Sequence, residues 1–426
     1  MTRTAEHARR GEWFSPDGRR ILAARLLRTF GFGYLAVVLA AYLAALGKSP
    51  IEVGAVLTTT IAGTATATVL SSLWADRLGR RRTLVALSVL MTAGGLIFAA
   101  GDALWLLLLG AFTGAMSVSG SDIGPANTID QAILPQTTTD ARRTRLFSYY
   151  TMAGNLAAAV GALFAGTVAF FARLGLDGAD AYRPLFVVYA LIGVGNALLL
   201  GRLTAAVEVP AADAEEPARP PGFLGVHRSR SIVVRLSLLY GLDSFAGGFT
   251  VQSLVAYWFT LRWHLSPEAL GALFFADGLL SGASLLVAGR LAERFGLLRT
   301  MVFTQLPSNL LLILLPLAPS TGLAMAVFLA RSSISQMDIP TRQSYNMAIV
   351  EPDERTATAG ITNVARTAAG AAAPLLSGYA YSIAALGAPF FFAGALKVVY
   401  NVLIYRAFRH IHPPEERLRR EAGDAG

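Results

Sequence analysis

Cysteine is absent from the 426 residues, which excludes disulfides, iron–sulfur clusters and thiolate metal sites. Charge is scarce. Asp, Glu, Lys and Arg make up 15% of the chain, against about 25% in an ordinary soluble domain. Lysine occurs only at Lys48 and Lys397. The histidines, His7, His227, His264, His410 and His412, fall in tails and loops without metal-ligand spacing, so no metal site is expected. There is no phosphate-binding Gly-Lys-Ser/Thr loop. No constellation for acid–base or nucleophilic chemistry stands out either. The chain reads as a non-enzyme without a cofactor. Met1 to Arg20 is polar and basic, and no small-residue cleavage site closes the apolar run behind it. It is expected to be a retained cytoplasmic tail rather than a signal peptide.

Long apolar runs take the place of charge. The chain is 54% hydrophobic with a mean hydropathy of +0.52. Runs of 18 residues or more can each cross about 30 Å of hydrocarbon as a helix. Twelve spans are predicted, at 21–47, 51–74, 83–101, 103–134, 143–171, 184–204, 231–259, 268–290, 299–318, 321–349, 356–383 and 388–407. With the N-terminus inside, the inner connections hold 25 Lys and Arg and the outer ones 4. That imbalance predicts both termini in the cytoplasm. The formal charge of +9 is thereby explained by topology, and no nucleic-acid partner is expected. The expected surroundings are a lipid bilayer, the cytoplasmic membrane of a bacterium, with the chain as a monomer.

One stretch organises the pattern. Leu73-Trp-Ala-Asp-Arg-Leu-Gly-Arg-Arg-Arg-Thr-Leu84 puts a charged turn between spans two and three. A related turn, Leu291-Ala-Glu-Arg-Phe-Gly-Leu-Leu-Arg-Thr-Met301, returns between spans eight and nine. Ser49-Pro50 likewise matches Ser266-Pro267, Asp122-Ile-Gly-Pro125 matches Asp338-Ile-Pro-Thr341, and Gly161–Gly166 matches Ala373–Gly378. Two similar halves in one orientation imply a twofold pseudo-axis along the membrane normal. The predicted organisation is an N-terminal tail at 1–20, a six-helix bundle at 21–206, a Pro- and acid-rich cytoplasmic linker at 207–230, a second bundle at 231–407 and a C-terminal tail at 408–426.

Twelve spans, a 6+6 repeat and a long central loop resemble the major facilitator superfamily over nearly the whole chain. The loop motif of that family, Gly-x-Leu-Ala-Asp-Arg-x-Gly-Arg-Arg/Lys, is matched by Ser72 to Arg81, with Ser72 for the leading Gly. The second copy keeps Gly289 but carries Glu293 for Asp, followed by Arg294 and Gly296. The resemblance implies an all-α membrane protein of two pseudo-symmetric six-helix bundles. It also implies a conformational lock at Asp76, Gly79 and Arg80, with Glu293, Arg294 and Gly296 as its second copy. Asp76 is expected to accept hydrogen bonds at the start of span eleven. Arg80 is expected to reach a span-four carboxylate, first Asp130, then Asp122.

Ionisable groups inside spans are functional candidates by default. Asp243, Asp277, Arg331 and Arg366 sit near mid-span in the second half and could neutralise one another or serve transport. Asp243 is the first proton-coupling candidate and Asp277 the second. Arg331 and Arg366, with Arg28 in span one, are candidates for substrate. Arg25 reads as structural and Lys397 as peripheral. Polar residues in spans that border the cavity in the family add Tyr34, Asn155, Gln252, Gln336 and Asn363. The resulting expectation is a secondary transporter working by alternating access. Proton-coupled efflux of small organic molecules leads, because Gly161 and Gly166 fit loosely the span-five pattern of export antiporters. Import of an organic anion or sugar is the alternative. A metalloid or oxyanion exporter and a non-transporting sensor follow.

Overall fold

A computed structural model describes residues 15–137, 140–208, 228–351 and 354–410. Among these residues helix is the only regular secondary structure. The helices are α1 (Pro16–Ala45), α2 (Pro50–Leu78), α3 (Arg80–Ala100), α4 (Leu104–Phe112), α5 (Pro125–Ile133), α6 (Asp140–Phe164), α7 (Thr167–Arg173), α8 (Arg183–Gly201) and α9 (Arg230–Gly248). They continue as α10 (Gln252–Trp263), α11 (Pro267–Phe295), α12 (Leu297–Leu314), α13 (Thr321–Ser335), α14 (Asp338–Ile349), α15 (Arg355–Ala371), α16 (Ala373–Ser382) and α17 (Ala388–Phe408). Most of the expected linker, at 209–227, and the tail residues 1–14 and 411–426 lie outside the described residues, whereas 16–20, expected in the N-terminal tail, already belong to α1.

Helix starts follow local chemistry. Ser15 accepts from the Gly18 amide with Pro16 at the first helical position. Ser49 and Glu52 cap each other reciprocally ahead of α2. Gly79 (φ +96°) and Gly296 (φ +89°) turn the chain at the two related loops, in a conformation that L side chains resist.

Nine stretches among the described residues are long and apolar enough to cross a membrane. The three other predicted spans, four, ten and eleven, are each two shorter helices in series. Span four is the most interrupted, since Thr113 to Gly124 leaves the helix altogether. Gly114 and Gly120 there adopt positive φ. Helix-free backbone at membrane depth needs partners for its carbonyls. Tyr189 donates to Ala115 O, Thr64 to Met116 O at 3.4 Å, Ser253 to Val118 O through both N (3.1 Å) and Oγ (3.2 Å), and Ser117 to Ser121 O at 2.9 Å.

Packing divides the chain into two units. The first comprises Met1–Glu216 with Val251–Phe275, and the second Pro217–Thr250 with Ala276–Gly426. The 6+6 repeat in sequence places 251–275 with the second half; packing places it with the first. In the first unit α1 is the central helix, 83% buried over its most apolar window, where the other crossing helices reach 28–44%. It packs against α6, α8 and α10. The α1–α6 crossing is close enough that a Cβ on Gly33 would come within 2.0 Å of Ala158 O, and one on Gly161 within 2.1 Å of Phe30 O. α3 packs on α8, and α2 on α4 and α5. In the second unit α9 packs on α15 and α17, and α12 on α13, α14 and α17, around Leu236, Tyr240, Met301, Tyr345, Tyr400 and Ile404.

Candidate transport site

Each unit buries an ionic network, and the two differ in kind. In the first unit, Arg28 sits about three turns into α1. Its Nη2 bridges Asp122 Oδ2 at 2.7 Å and Asp130 Oδ2 at 2.8 Å. Arg25 reaches Asn127 Oδ1 at 2.6 Å and Asp122 Oδ2 at 3.3 Å, and its guanidinium lies 3.9 Å from the centre of the Tyr150 ring. The Tyr150 hydroxyl donates to Asp130 Oδ2 at 2.8 Å. Two bases face two acids, all at least 93% removed from solvent. The set ties spans one, four and five together as a closed, neutral cluster. Arg28, expected to meet substrate, has its guanidinium committed to two carboxylates.

That cluster also corrects the lock expected from the loop motif. Asp130 belongs to Arg28 and Tyr150, so it is not the partner of Arg80. Arg80 does reach span four, but at Ala132 O, 3.5 Å away, and its Nε donates to Asp76 Oδ1 at 2.7 Å. Asp76, with 61% of its side chain exposed, is thus bound one turn along its own chain. The acid that caps a helix here is Glu208. Its Oε2 accepts from the Arg80 amide at 2.6 Å and its Oε1 from the Arg81 amide at 3.1 Å, at the start of α3. Sequence reading passed over Glu208 as part of a linker. Its signal was position, an acid following the sixth span. Asp17 holds the same end of the unit, accepting from Thr204 N at 3.3 Å and from the Thr204 hydroxyl. In the second copy Gly296 makes the turn, and the Arg294 guanidinium lies over the Phe295 ring at 5.4 Å. The Glu293 side chain lies outside the described residues.

In the second unit Asp243 is doubly paired, but not with the bases expected. Lys397 Nζ lies 2.8 Å from its Oδ1, and Arg342 Nη1 lies 3.2 Å from its Oδ2. The same Arg342 nitrogen meets Asp338 Oδ2 at 2.9 Å. Lys397 is therefore an inner partner of span seven and not peripheral: α17 packs on α9 and turns it inward. Arg342 was missed, although the Asp338–Arg342 spacing of one helical turn is a readable pairing signal. The two halves place their networks alike with the polarity reversed. Span one brings a base to the span-four acid, whereas span seven brings an acid to the span-ten base. Glu354 clamps the start of α9 as Glu208 clamps α3, accepting from Arg228 N at 2.6 Å and Ser229 N at 2.9 Å.

Asp277, Arg331 and Arg366 complete the second unit's interior, and they stay outside this network. Asp277 Oδ1 accepts from the Ser332 hydroxyl. Ser332 Oγ also lies 2.9 Å from Phe328 O. Arg331 adjoins Asp277 electrostatically, with Asp338 beyond it, and Arg366 adjoins Asp243, Arg342, Asp338 and Tyr400. Neither arginine makes an ion pair among the described residues, and the buried Nε of each has no hydrogen-bond partner.

The uncharged candidates scatter. Tyr34 is wholly buried, donates to Leu185 O at 3.0 Å and packs against Phe30 and Phe164, a structural role. Gln252 opens α10, with its carboxamide against Gly120 of the unwound segment. Asn155 and Asn363 are exposed, and Gln336 is half-buried at the break between α13 and α14.

Comparison with known proteins decides the family. The sequence profile of the Major Facilitator Superfamily matches residues 21–262 and again 236–425. The chain belongs to the major facilitator superfamily. An uncharacterized membrane protein of Saccharomyces cerevisiae (strain ATCC 204508 / S288c) is 25% identical over 418 residues, covering 92% of this chain and 93% of its own. An uncharacterized MFS-type transporter of Bacillus subtilis (strain 168), YceJ, is 25% identical over 203 residues, 47% of this chain and 50% of its own. Among solved structures, a mutant of the nucleoside transporter NupG superposes with a TM-score of 0.74 at 10% identity, over 92% of this chain and 100% of that one. A D-xylose–proton symporter gives 0.68 at 15% identity, over 91% and 97%. At such identities these neighbours show a shared fold and carry no statement about cargo.

Proposed function

We propose that this superfamily member is a proton-coupled transporter of small organic molecules and that Asp277 carries the proton. One observation supports the assignment above the others: Ser332 Oγ stands between Asp277 Oδ1 and Phe328 O. With Asp277 ionised, the serine hydroxyl donates to the carboxylate. With Asp277 protonated, the carboxyl donates to Ser332, and the serine turns its proton to Phe328 O. Both charge states are hydrogen-bonded, so the proton can come and go without stranding a polar group. Asp243 lacks this freedom. Neutralising it would leave Lys397 buried without a counter-charge and take one of the two acids from Arg342. We therefore place Asp277 ahead of Asp243, reversing the order expected from span position.

Export was the leading expectation, on the glycine pattern of span five. Packing accounts for those positions without reference to direction. Gly161 lies against Phe30 O, and a Cβ on Gly166 would come within 3.3 Å of Glu268 Cα. The charges favour the alternative, cargo and proton moving together, because a proton on Asp277 removes the acid beside Arg331 and makes the site more positive. The deciding experiment is transport in proteoliposomes, with uphill flux driven by an imposed pH gradient compared with exchange flux at equal pH. Asp277→Asn is expected to abolish the first and keep the second. Uphill flux at the parental rate in that variant would remove Asp277 as the carrier. Cargo moving against the proton would restore the export reading.

A further inference from the structure

We propose that the cargo is an organic anion whose carboxylate, phosphate or sulfonate group is bound by Arg366. The inference rests on the transporter reading above and adds the substrate class. Among the described residues near mid-span in the second unit, three carboxylates, Asp243, Asp277 and Asp338, stand against four bases, Arg331, Arg342, Arg366 and Lys397, while the buried carboxylate of Glu354 lies apart at the start of α9. One positive charge is left over. The pairing narrows it: Lys397 and Arg342 use Asp243 and Asp338, while Arg331 and Arg366 make no ion pair among the described residues and each keeps a buried, unbonded Nε; of these two, Arg331 adjoins the acid Asp277, whereas the foremost charge beside Arg366 is another base, Arg342. An uncompensated guanidinium inside a membrane-embedded bundle is costly unless something answers it. A planar fork of donors is matched best by a carboxylate, phosphate or sulfonate oxygen pair.

The setting keeps Arg366 in place. It lies one turn before Gly370 on α15. There α15 approaches α9 so closely that a Cβ on Gly248 would come within 2.5 Å of Gly370 O. Gly241 on α9 lies opposite Ala365 and Ala369. Small residues on both sides leave the long arginine as the one charged residue of α15 after its first turn. Arg366 is thus the permanent anchor and Arg331 the coupling element. When Asp277 takes its proton, Arg331 also loses its counter-charge, and the site holds two unanswered bases instead of one. Anion binding and proton binding then reinforce each other.

The test uses the full chain in phosphatidylcholine nanodiscs. Thermal stability is read with benzoate, phenylphosphonate and benzenesulfonate, and with neutral benzamide and cationic benzylammonium as controls. At least one anion is expected to raise the melting temperature while neither control does. The shift is expected to vanish in Arg366→Gln, to survive in Arg366→Lys, and to reflect binding about tenfold tighter at pH 5.5 than at pH 8, one pKa unit of coupling. That pH dependence is expected to be absent from Asp277→Asn. Equal shifts from benzamide, no shift from any anion, or an unchanged shift in Arg366→Gln overturns the proposal. If Arg366→Gln does not yield monodisperse protein, the pH dependence in the parent and its absence from Asp277→Asn decide in its place. Stabilisation by added phosphatidylglycerol but by none of the soluble anions would assign the site to a lipid headgroup and overturn the cargo. An anion shift lost in Arg366→Gln but independent of pH leaves the anion site standing and removes Asp277 from the coupling.

Discussion

Replacing Glu208 tests whether an acid after the sixth span holds the start of the third. Its carboxylate is the acceptor for two first-turn amides of α3, at 2.6 Å from Arg80 N and 3.1 Å from Arg81 N. A side-chain cap is worth about 0.5–2 kcal/mol, and a negative charge at a helix N-terminus contributes about 0.3–1 kcal/mol of stabilisation. Glu208→Ala should therefore cost the first turn about 1–2 kcal/mol, a factor of about 5 to 30 in the local opening equilibrium. Glu208→Gln keeps an acceptor and loses only the charge, so it should show the smaller part of that loss. Hydrogen exchange read by mass spectrometry on the peptide containing Arg80 and Arg81 is the assay. Faster exchange is expected there, with the α3 interior beyond Leu84 unchanged. Parental exchange rates at those amides in Glu208→Ala would refute the capping argument, and acceleration along all of α3 would mean that Glu208 holds the whole helix.

Three further outcomes follow from the packing. Asp243→Asn strands Lys397 and is expected to cost about 3–5 kcal/mol, seen as a lower unfolding temperature in nanodiscs. The pair Asp243→Asn with Lys397→Met should recover part of it, and strict additivity would argue against their direct coupling. Gly33→Ala puts a methyl group 2.0 Å from Ala158 O. The forced separation of α1 from α6 should cost at least about 1–3 kcal/mol, visible as reduced yield of monodisperse protein. Gly79→Ala, at φ +96°, should cost about 1–2 kcal/mol in the same unfolding measurement while leaving anion-induced shifts unchanged.

Long hydrophobic runs and the doubled loop made the helical bundle readable, because burying a span in lipid depends on composition over some twenty residues and not on any one neighbour. The ionic partners were not readable. Mid-span depth grouped Asp243 with Arg331 and Arg366, but depth says nothing about which way a helix is rotated. Rotation turned Lys397 and Arg342 to Asp243 and left the two arginines outside. Arg80 and Asp130 failed as a pair for a similar reason: Arg28 competes for the same carboxylate from deeper in the bundle. The break in span four was hinted at by Gly114, Ser117, Gly120 and Gly124-Pro125, yet its stability depends on Thr64, Tyr189 and Ser253, which lie far away in sequence.

The passage of Val251–Phe275 into the first unit sets an order of events during synthesis. Val37 and Val38 on α1 are each 1% exposed in the finished protein, where α10 packs on α1. Ribosomes add about 5–20 residues per second. Once Glu216 has been made, the central helix of the first unit must therefore wait several seconds for the segment that completes its surroundings. A nascent chain stopped in the linker would present an unfinished bundle to the insertion machinery and to membrane proteases. Severing the chain there would yield a first fragment that lacks part of its own wall, so the linker in the sequence is not a seam at which the fold comes apart.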